Sequence, residues 1–231
     1  MLERSEEADS FARRAEGHRE IVNDKLWYNE VNSYSAFNLC NGAPLFSLSL
    51  DDGQALPDGV GCFAFQSASN LIPLYARIAE PDSARAMIEA YVVNENHFWS
   101  PYGIRSLSRA SEYYNNAVLG NPSRFVDYRR ITESNWQGPV WVLLSYWVFH
   151  ALRHYGFREE AGELADRTVA VLANSLRRRG SFSENFHAET GEPLYAACYT
   201  SWNLLGDTLH DDLAGKSWIM DPVFSSSDHQ S

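Results

Sequence analysis

The sequence predicts an all-α fold made of two layers of helices, an inner apolar layer and an outer one half in water. Three features carry that expectation. Residues 140–152 are apolar on nearly every side, interrupted by Ser145 and His150, so this segment must be enclosed on most sides. Residues 158–178 follow with one apolar and one charged face, the pattern of a helix lying between core and solvent. No run of alternating apolar and polar residues competes as a strand.

Six helices are read in order. The first covers residues 3–27, with Ala8, Phe11, Ala15, Val22 and Leu26 tracing one face. Residues 29–44 are rich in Asn, Ser and Gly and read as a turn or short hairpin, and 45–61 continue as loop. The second helix spans 63–79, where Pro73 marks either a kink or the true start. Pro81 suits the first turn of a third helix that runs to about residue 91. A long connection, 97–137, follows; structureless stretches of this length inside a domain tend to be functional. The fourth helix starts at Gly138-Pro139 and runs to Tyr155, capped by Gly156. The fifth, 158–178, buries Ala161, Leu164, Ala165, Thr168, Val169, Leu172 and Leu176. It turns Glu159, Glu160, Glu163, Asp166 and Arg167 to water. A polar loop, 180–193, leads to a sixth helix over 196–211. Residues 1–213 therefore form one domain portion, and 214–231 a flexible tail.

Composition narrows the function. The chain has 231 residues, 45% of them hydrophobic and 21% charged, enough for a sizeable core. Its net charge of −11 leaves no basic stripe to displace counterions, which argues against nucleic acid. The dense cluster Arg177-Arg178-Arg179 falls at a helix end, where it offsets the negative pole of the dipole. Cys40, Cys62 and Cys198 form no Cys-x-x-Cys pair, and His97, His150, His154 and His187 lack metal-ligand spacing. No metal is expected. Without an apolar run of about 20 residues or a secretory opening, the expectation is a cytoplasmic protein off the membrane. The 7 Trp and 12 Tyr suit either a core or the stacking of sugar rings.

Six segments, taken in order, carry a resemblance. They are DKLWYNEVNSY from Asp24, LIPLYARIA from Leu71, FWSPYGIRSLSR from Phe98, NWQGPVW from Asn135, ALRHYGF from Ala151 and SENFHAETGEP from Ser183. Together they resemble the mannosylglycerate and glucosylglycerate hydrolase group of glycoside hydrolases, related to the family 63 glucosidases. The resemblance implies an (α/α)6 barrel with sugar bound at its mouth and hydrolysis by two carboxylates with inversion, without a cofactor. The substrate class is a small α-glucoside or α-mannoside such as glucosylglycerate or mannosylglycerate, or an α-glucosyl oligosaccharide. It implies Glu184 as the general base and Trp136, Gln137 and Trp141 as lining of the sugar site. The family's general acid is an Asp in a loop upstream of every segment matched here, and residues 1–44 hold no such loop. Six helices are half of twelve, so about half a barrel is expected, completed by a missing N-terminal half or by a second copy. The alternative is a catalytically incomplete helical domain that binds sugar or partners.

Inverting hydrolysis needs an acid at the leaving oxygen and a base for water, roughly 6.5–9.5 Å apart. Glu184 lies between Phe182 and Phe186, which can hold a carboxylate against a sugar; read without the resemblance, it is a solvated loop acid. Glu189 and Glu192 belong to a turn, ETGEP, and should face water. Gly138 permits close backbone approach beside Trp136 and Trp141, while Gln137 can both donate and accept toward hydroxyls. Trp147 and Trp218 read as core, whereas Tyr199 and Trp202 fit core and substrate site equally well. Tyr102 and Arg105 would line the mouth, where the Arg105 fork matches either a substrate carboxylate or a structural partner. Asp51 and Asp52 are the fallback acids within the chain.

Overall fold

Val142, Leu144, Tyr146, Val148, Phe149, Ala151 and Leu152 fall on every side of one helix, and each is buried. That helix, α4 (Val142–His154), is the inner element, in contact with residues 72–75, 103–104, 158–179 and 201–208. The computed structural model describes residues 5–29, 31–35, 66–111, 113–117, 119–120, 132–133, 135–194 and 196–216. Trp218, Cys40, Cys62, Asp51, Asp52 and most of the tail lie outside the described residues. Among the described residues no helix is long and apolar enough to cross a membrane.

Helix α4 starts later than the Gly138-Pro139 signal indicates. Val140 is held extended by backbone hydrogen bonds to Phe186, so helical dihedrals begin only after Trp141. The chain leaves α4 through Gly156, at φ +88°, and enters α5 (Arg158–Arg179), which ends on Gly180 at φ +68°. Helix α5 lies along α4, with Ala161, Leu164, Ala165 and Thr168 enclosed and Glu159, Glu163 and Asp166 in solvent. Leu176, expected on the buried face, is 45% exposed. The last turn of α5 projects beyond α4, and the inward position there belongs to Ser175, whose hydroxyl donates to Ser181 O at 2.9 Å.

The remaining elements are shorter than their periodicity indicates. Helix α1 (Ser5–Leu26) packs through its C-terminal part. Val22 and Leu26 meet the core, and the Asn23 amide donates to Ile78 O at 2.9 Å. Its upper face, including Ala8 and Ala15, is open, and Phe11 is 65% exposed. A hairpin of β1 (Trp27–Tyr28) and β2 (Ser33–Tyr34) follows. The second helix reduces to a 3-10 turn at Ala68–Leu71 and α2 (Ile72–Tyr75), with Pro73 in the first turn; residues 63–65 lie outside the described set. Helix α3 (Pro81–Met87) opens on Pro81 and widens into a π-helical turn at Ile88–Val92.

The long connection contains hairpins, β3 (Trp99–Ser100) with β4 (Gly103–Ile104) and β5 (Leu119–Gly120) with β6 (Thr132–Glu133). Gly103 sits at φ +140°, and a Cβ there would stand 2.7 Å from a Val140 methyl. The sixth helix is a 3-10 stretch, Ser201–Thr208, running into α6 (Leu209–Leu213). It starts late because the chain just before it is paired with the stretch after α5.

Where α6 meets α4, the carboxylate of the enclosed Asp212 lies 3.4 Å from His150 Nε2. Burial, with the charges of Arg153 and Arg77, pushes the His150 pKa down to about 4. An unfolded chain takes up that proton near 6.5, the folded chain only near 4. The associated stability is therefore present above the unfolded value and lost as pH falls through this window. Urea titrations of wild type and His150→Gln should show the wild type losing stability more steeply between those values. A second expectation concerns α5: Leu164→Ala should cost about 2–5 kcal/mol by denaturant unfolding, and Leu176→Ala about 0.5 kcal/mol or less.

Candidate active site

The stretch after α5 folds back on itself. Glu184 N–H donates to Ala196 O at 3.1 Å, Leu194 N–H to Asn185 O at 3.0 Å, and His187 N–H to Glu192 O at 2.9 Å. Residues 181–187 on one side and 191–194 with 196–199 on the other are thus the two limbs of an irregular antiparallel hairpin, where the sequence predicted a polar loop. At its tip Gly191 turns at φ +68° beneath the Tyr102 ring, which a Cβ would meet at 2.5 Å. Val140 holds the hairpin from the other side: its N–H donates to Phe186 O at 2.8 Å and its carbonyl accepts from Phe186 N–H at 2.9 Å. Arg105 bridges Val140 in turn, so extended single residues from three separate regions form one small ladder. Bridges of one residue leave no alternation to read in a sequence.

Glu184 stands in the first limb at 7% exposure. Its neighbours are pinned on both sides, Phe186 to Val140 and Ser183 through its carbonyl, which accepts from the Asn203 amide at 2.8 Å. Those two anchors adjoin tryptophans. Trp136 stacks on Trp141 with centroids 3.9 Å apart and planes at 14°. Trp141 meets Trp202 at 5.6 Å, and Trp202 meets Tyr199 at 4.9 Å. The four rings form one continuous run alongside the limb that carries Glu184.

Within that run the expected roles separate. Trp141 is fully enclosed, covered by Trp136 on one side, and its indole N–H donates to Asn135 O at 3.1 Å. It backs the site and offers no free face. Trp136 is 43% exposed and presents its outer face to solvent, the arrangement a stacking platform needs. Tyr199 and Trp202 are half-buried, and Gln137 is fixed by Asn115, whose amide donates to Gln137 Oε1 at 2.9 Å. Trp147 stacks on Tyr75 at 5.7 Å, consistent with a packing role.

Arg105 lies inside the protein, at 1% side-chain exposure, rather than at a mouth. Its Nε and Nη2 donate to Glu189 Oε1 at 3.0 and 2.9 Å, and Nη1 donates to the carbonyls of Glu95, His97 and Trp99. Every nitrogen of the fork has a protein partner, so it holds Glu189 and not a ligand. This corrects the expectation that Glu189 faces water, although Glu192 is exposed and pairs with Arg178 at 3.0 Å. Burial alone would raise the Glu189 pKa. Hydrogen bonds from Tyr114 and Arg105, with the Arg105 and Arg109 charges, hold it below the ordinary carboxylate value. Tyr102 lines a cleft of about 410 Å³ with Val171, Asn174 and Arg178 of α5 and Thr190 of the hairpin tip. Among the described residues no group of three or more His, Cys, Asp or Glu could hold a metal.

Sequence reasoning missed Tyr114, Asn115 and Asn116, which lie in the long connection and contact both the Trp136 segment and the hairpin. The density of Asn in a loop already marked as functional was the available signal.

Residues 1–202 match the family described as mannosylglycerate hydrolase MGH1-like glycoside hydrolase domain, and the chain belongs to that family. A mannosylglycerate hydrolase of Rubrobacter radiotolerans is 30% identical over 186 residues, covering 80% of this chain and 34% of that protein. A probable mannosyl-oligosaccharide glucosidase of Schizosaccharomyces pombe is 24% identical over 217 residues, 89% of this chain and 23% of its own length. Among solved structures, a GH63 mannosylglycerate hydrolase from Thermus thermophilus in complex with glucose superposes with a TM-score of 0.55 at 20% identity. The match covers 80% of this chain and 36% of that one. The fold is therefore the helical (α/α)6 architecture, represented here by part of a barrel. The chain spans about a third of the length of the mannosylglycerate hydrolases it matches.

Replacing Glu189 by Gln would leave the Arg105 cation enclosed without a countercharge. The cost should be roughly 1–3 kcal/mol in denaturant unfolding, below the ~3–5 kcal/mol of a fully buried pair because Glu189 is partly exposed. Since the folded-state pKa is lowered, this contribution is complete above the ordinary carboxylate value and fades as pH falls through the folded value. Glu189→Gln should therefore lose less stability on acidification than wild type.

Proposed function

We propose that this chain carries the general base and one sugar-stacking wall of an inverting α-glycosidase acting on a small α-mannoside or α-glucoside, mannosylglycerate and glucosylglycerate being the leading substrates. The observation that carries the reading is Glu184, enclosed in a hairpin limb whose flanking residues are hydrogen-bonded to Val140 and Asn203, the chain neighbours of the adjoining rings Trp141 and Trp202. In such a site a sugar ring lies on the outer face of Trp136 while the Glu184 carboxylate draws a proton from the attacking water. Gln137 orients hydroxyls. The family membership supports the reaction class, and the named relatives support the substrate class. The general acid would come from sequence corresponding to the part of those relatives that this chain does not span. The open face of α1, with Phe11 at 65% exposure and Ile21 at 62%, is available to pack against such a segment or a second copy.

The test is hydrolysis of mannosylglycerate and glucosylglycerate by the purified chain, alone and joined to a relative's N-terminal region, with the product anomer followed by NMR. Turnover with inversion is expected only in the joined form, and Glu184→Gln there should lose about 10²–10⁴ in kcat. Full turnover by Glu184→Gln would overturn the assignment of the base. Sugar binding without turnover in either form would favour the alternative, a catalytically incomplete sugar-binding domain.

A further inference from the structure

Three consecutive residues outside the six segments that carry the resemblance connect the two halves of the site. Asn115 faces the tryptophan segment. Its side-chain amide donates to Gln137 Oε1 at 2.9 Å, its N–H donates to Gln137 O at 2.8 Å, and its Oδ1 accepts from the Asn135 amide at 2.8 Å. Asn116 and Tyr114 face the hairpin. Asn116 Oδ1 accepts from Ala188 N–H at 2.8 Å, and the Tyr114 hydroxyl donates to Glu189 Oε1 at 2.6 Å. The Asn116 amide donates to that same hydroxyl at 3.0 Å, which closes the connection between the two residues. Gly138 completes the fit, because a Cβ there would stand 2.2 Å from Asn115 O. The glycine of the Trp-Gln-Gly-Pro run is thus required by the backbone of this trio.

We propose that Tyr114, Asn115 and Asn116 are positioning residues that set the distance between the Glu184 hairpin and the sugar platform of Trp136 and Gln137. The proposal deepens the glycosidase reading and rests on it for its effect on rate. The trio acts through the residues it holds. Its hydrogen bonds to Ala188 and Glu189 fix the hairpin tip, a few residues beyond Glu184, and its bonds to Asn135 and Gln137 fix the platform. A base that must meet a water poised over the anomeric carbon tolerates little drift, so loosening the connection should reduce rate more than affinity. The Val140–Phe186 pair fixes the middle of the same hairpin, and the trio removes the freedom to pivot about that point.

Two measurements decide it. The first needs no activity: amide hydrogen exchange in the 231-residue chain, comparing wild type with Asn116→Ala and Tyr114→Phe. Exchange over residues 183–191 should rise about tenfold while α4 stays unchanged, since local opening is then decoupled from global unfolding. Unchanged exchange in the hairpin, or an equal rise in α4, would overturn the proposal. The second uses the chain joined to a relative's N-terminal region, with mannosylglycerate as substrate. Asn116→Ala should lower kcat about tenfold with KM within about twofold, whereas Asn115→Ala should chiefly raise KM through Gln137. Unaltered kcat in Asn116→Ala, in a wild-type background that turns over, would also overturn it. If wild type shows no turnover at all, the glycosidase reading fails, and the exchange measurement still decides whether the trio holds the hairpin.

Discussion

The reciprocal backbone pair between Val140 and Phe186, at 2.8 and 2.9 Å, is the contact on which the rest of this site depends. It joins the last residues before the inner helix to the limb that carries Glu184, and both partners are nearly inaccessible to water. Buried peptide groups left without partners are costly, so the pairing resists sliding in a way that side-chain contacts alone would not. It also delays the start of α4 and keeps Trp141 extended, where its indole stacks on that of Trp136. A helix beginning at Pro139 would take up Val140 and Trp141 and break the pairing with Phe186. The geometry before α4 and the position of Glu184 therefore follow from one local choice of backbone conformation.

Around that contact, the polar residues serve enclosure more than recognition. Arg105 looks in isolation like a ligand for a substrate carboxylate, yet its fork is filled by Glu189 and main-chain carbonyls. A guanidinium so thoroughly coordinated works as internal scaffolding, stiffening the junction of the β3–β4 hairpin, the Tyr114 segment and the hairpin tip. The favourable pairing of Arg105 with a depressed Glu189 outweighs the desolvation of a partly exposed carboxylate, which is why Glu189 stays charged despite its burial. Glu192, three residues on, has no such partner inside and remains at the surface opposite Arg178.

Much of this was legible in the residues. The continuous apolarity of α4 and the two-faced pattern of α5 gave their layers correctly, because helical periodicity reports burial directly. The six short segments led to the family. What escaped has a common cause. The hairpin around Glu184, the late start of α6 and the role of Tyr114–Asn115–Asn116 all arise from contacts between segments distant in sequence, made by single residues without period. Leu176 and the upper face of α1 mislead for the opposite reason. Their periodicity is sound, but no described element lies opposite them to cover it.

The stacked indoles of Trp136 and Trp141 carry an optical consequence. Two such chromophores 3.9 Å apart and nearly parallel are close enough for their transition dipoles to couple. Trp141 is shielded from water while Trp136 is open on one side, so solvent reaches the pair from a single direction. Anything that settles on the outer face of Trp136 changes the environment of both rings at once. A molecule bound on the proposed platform would therefore perturb the intrinsic emission of the chain, legible without a label and independent of whether that molecule is ever cleaved.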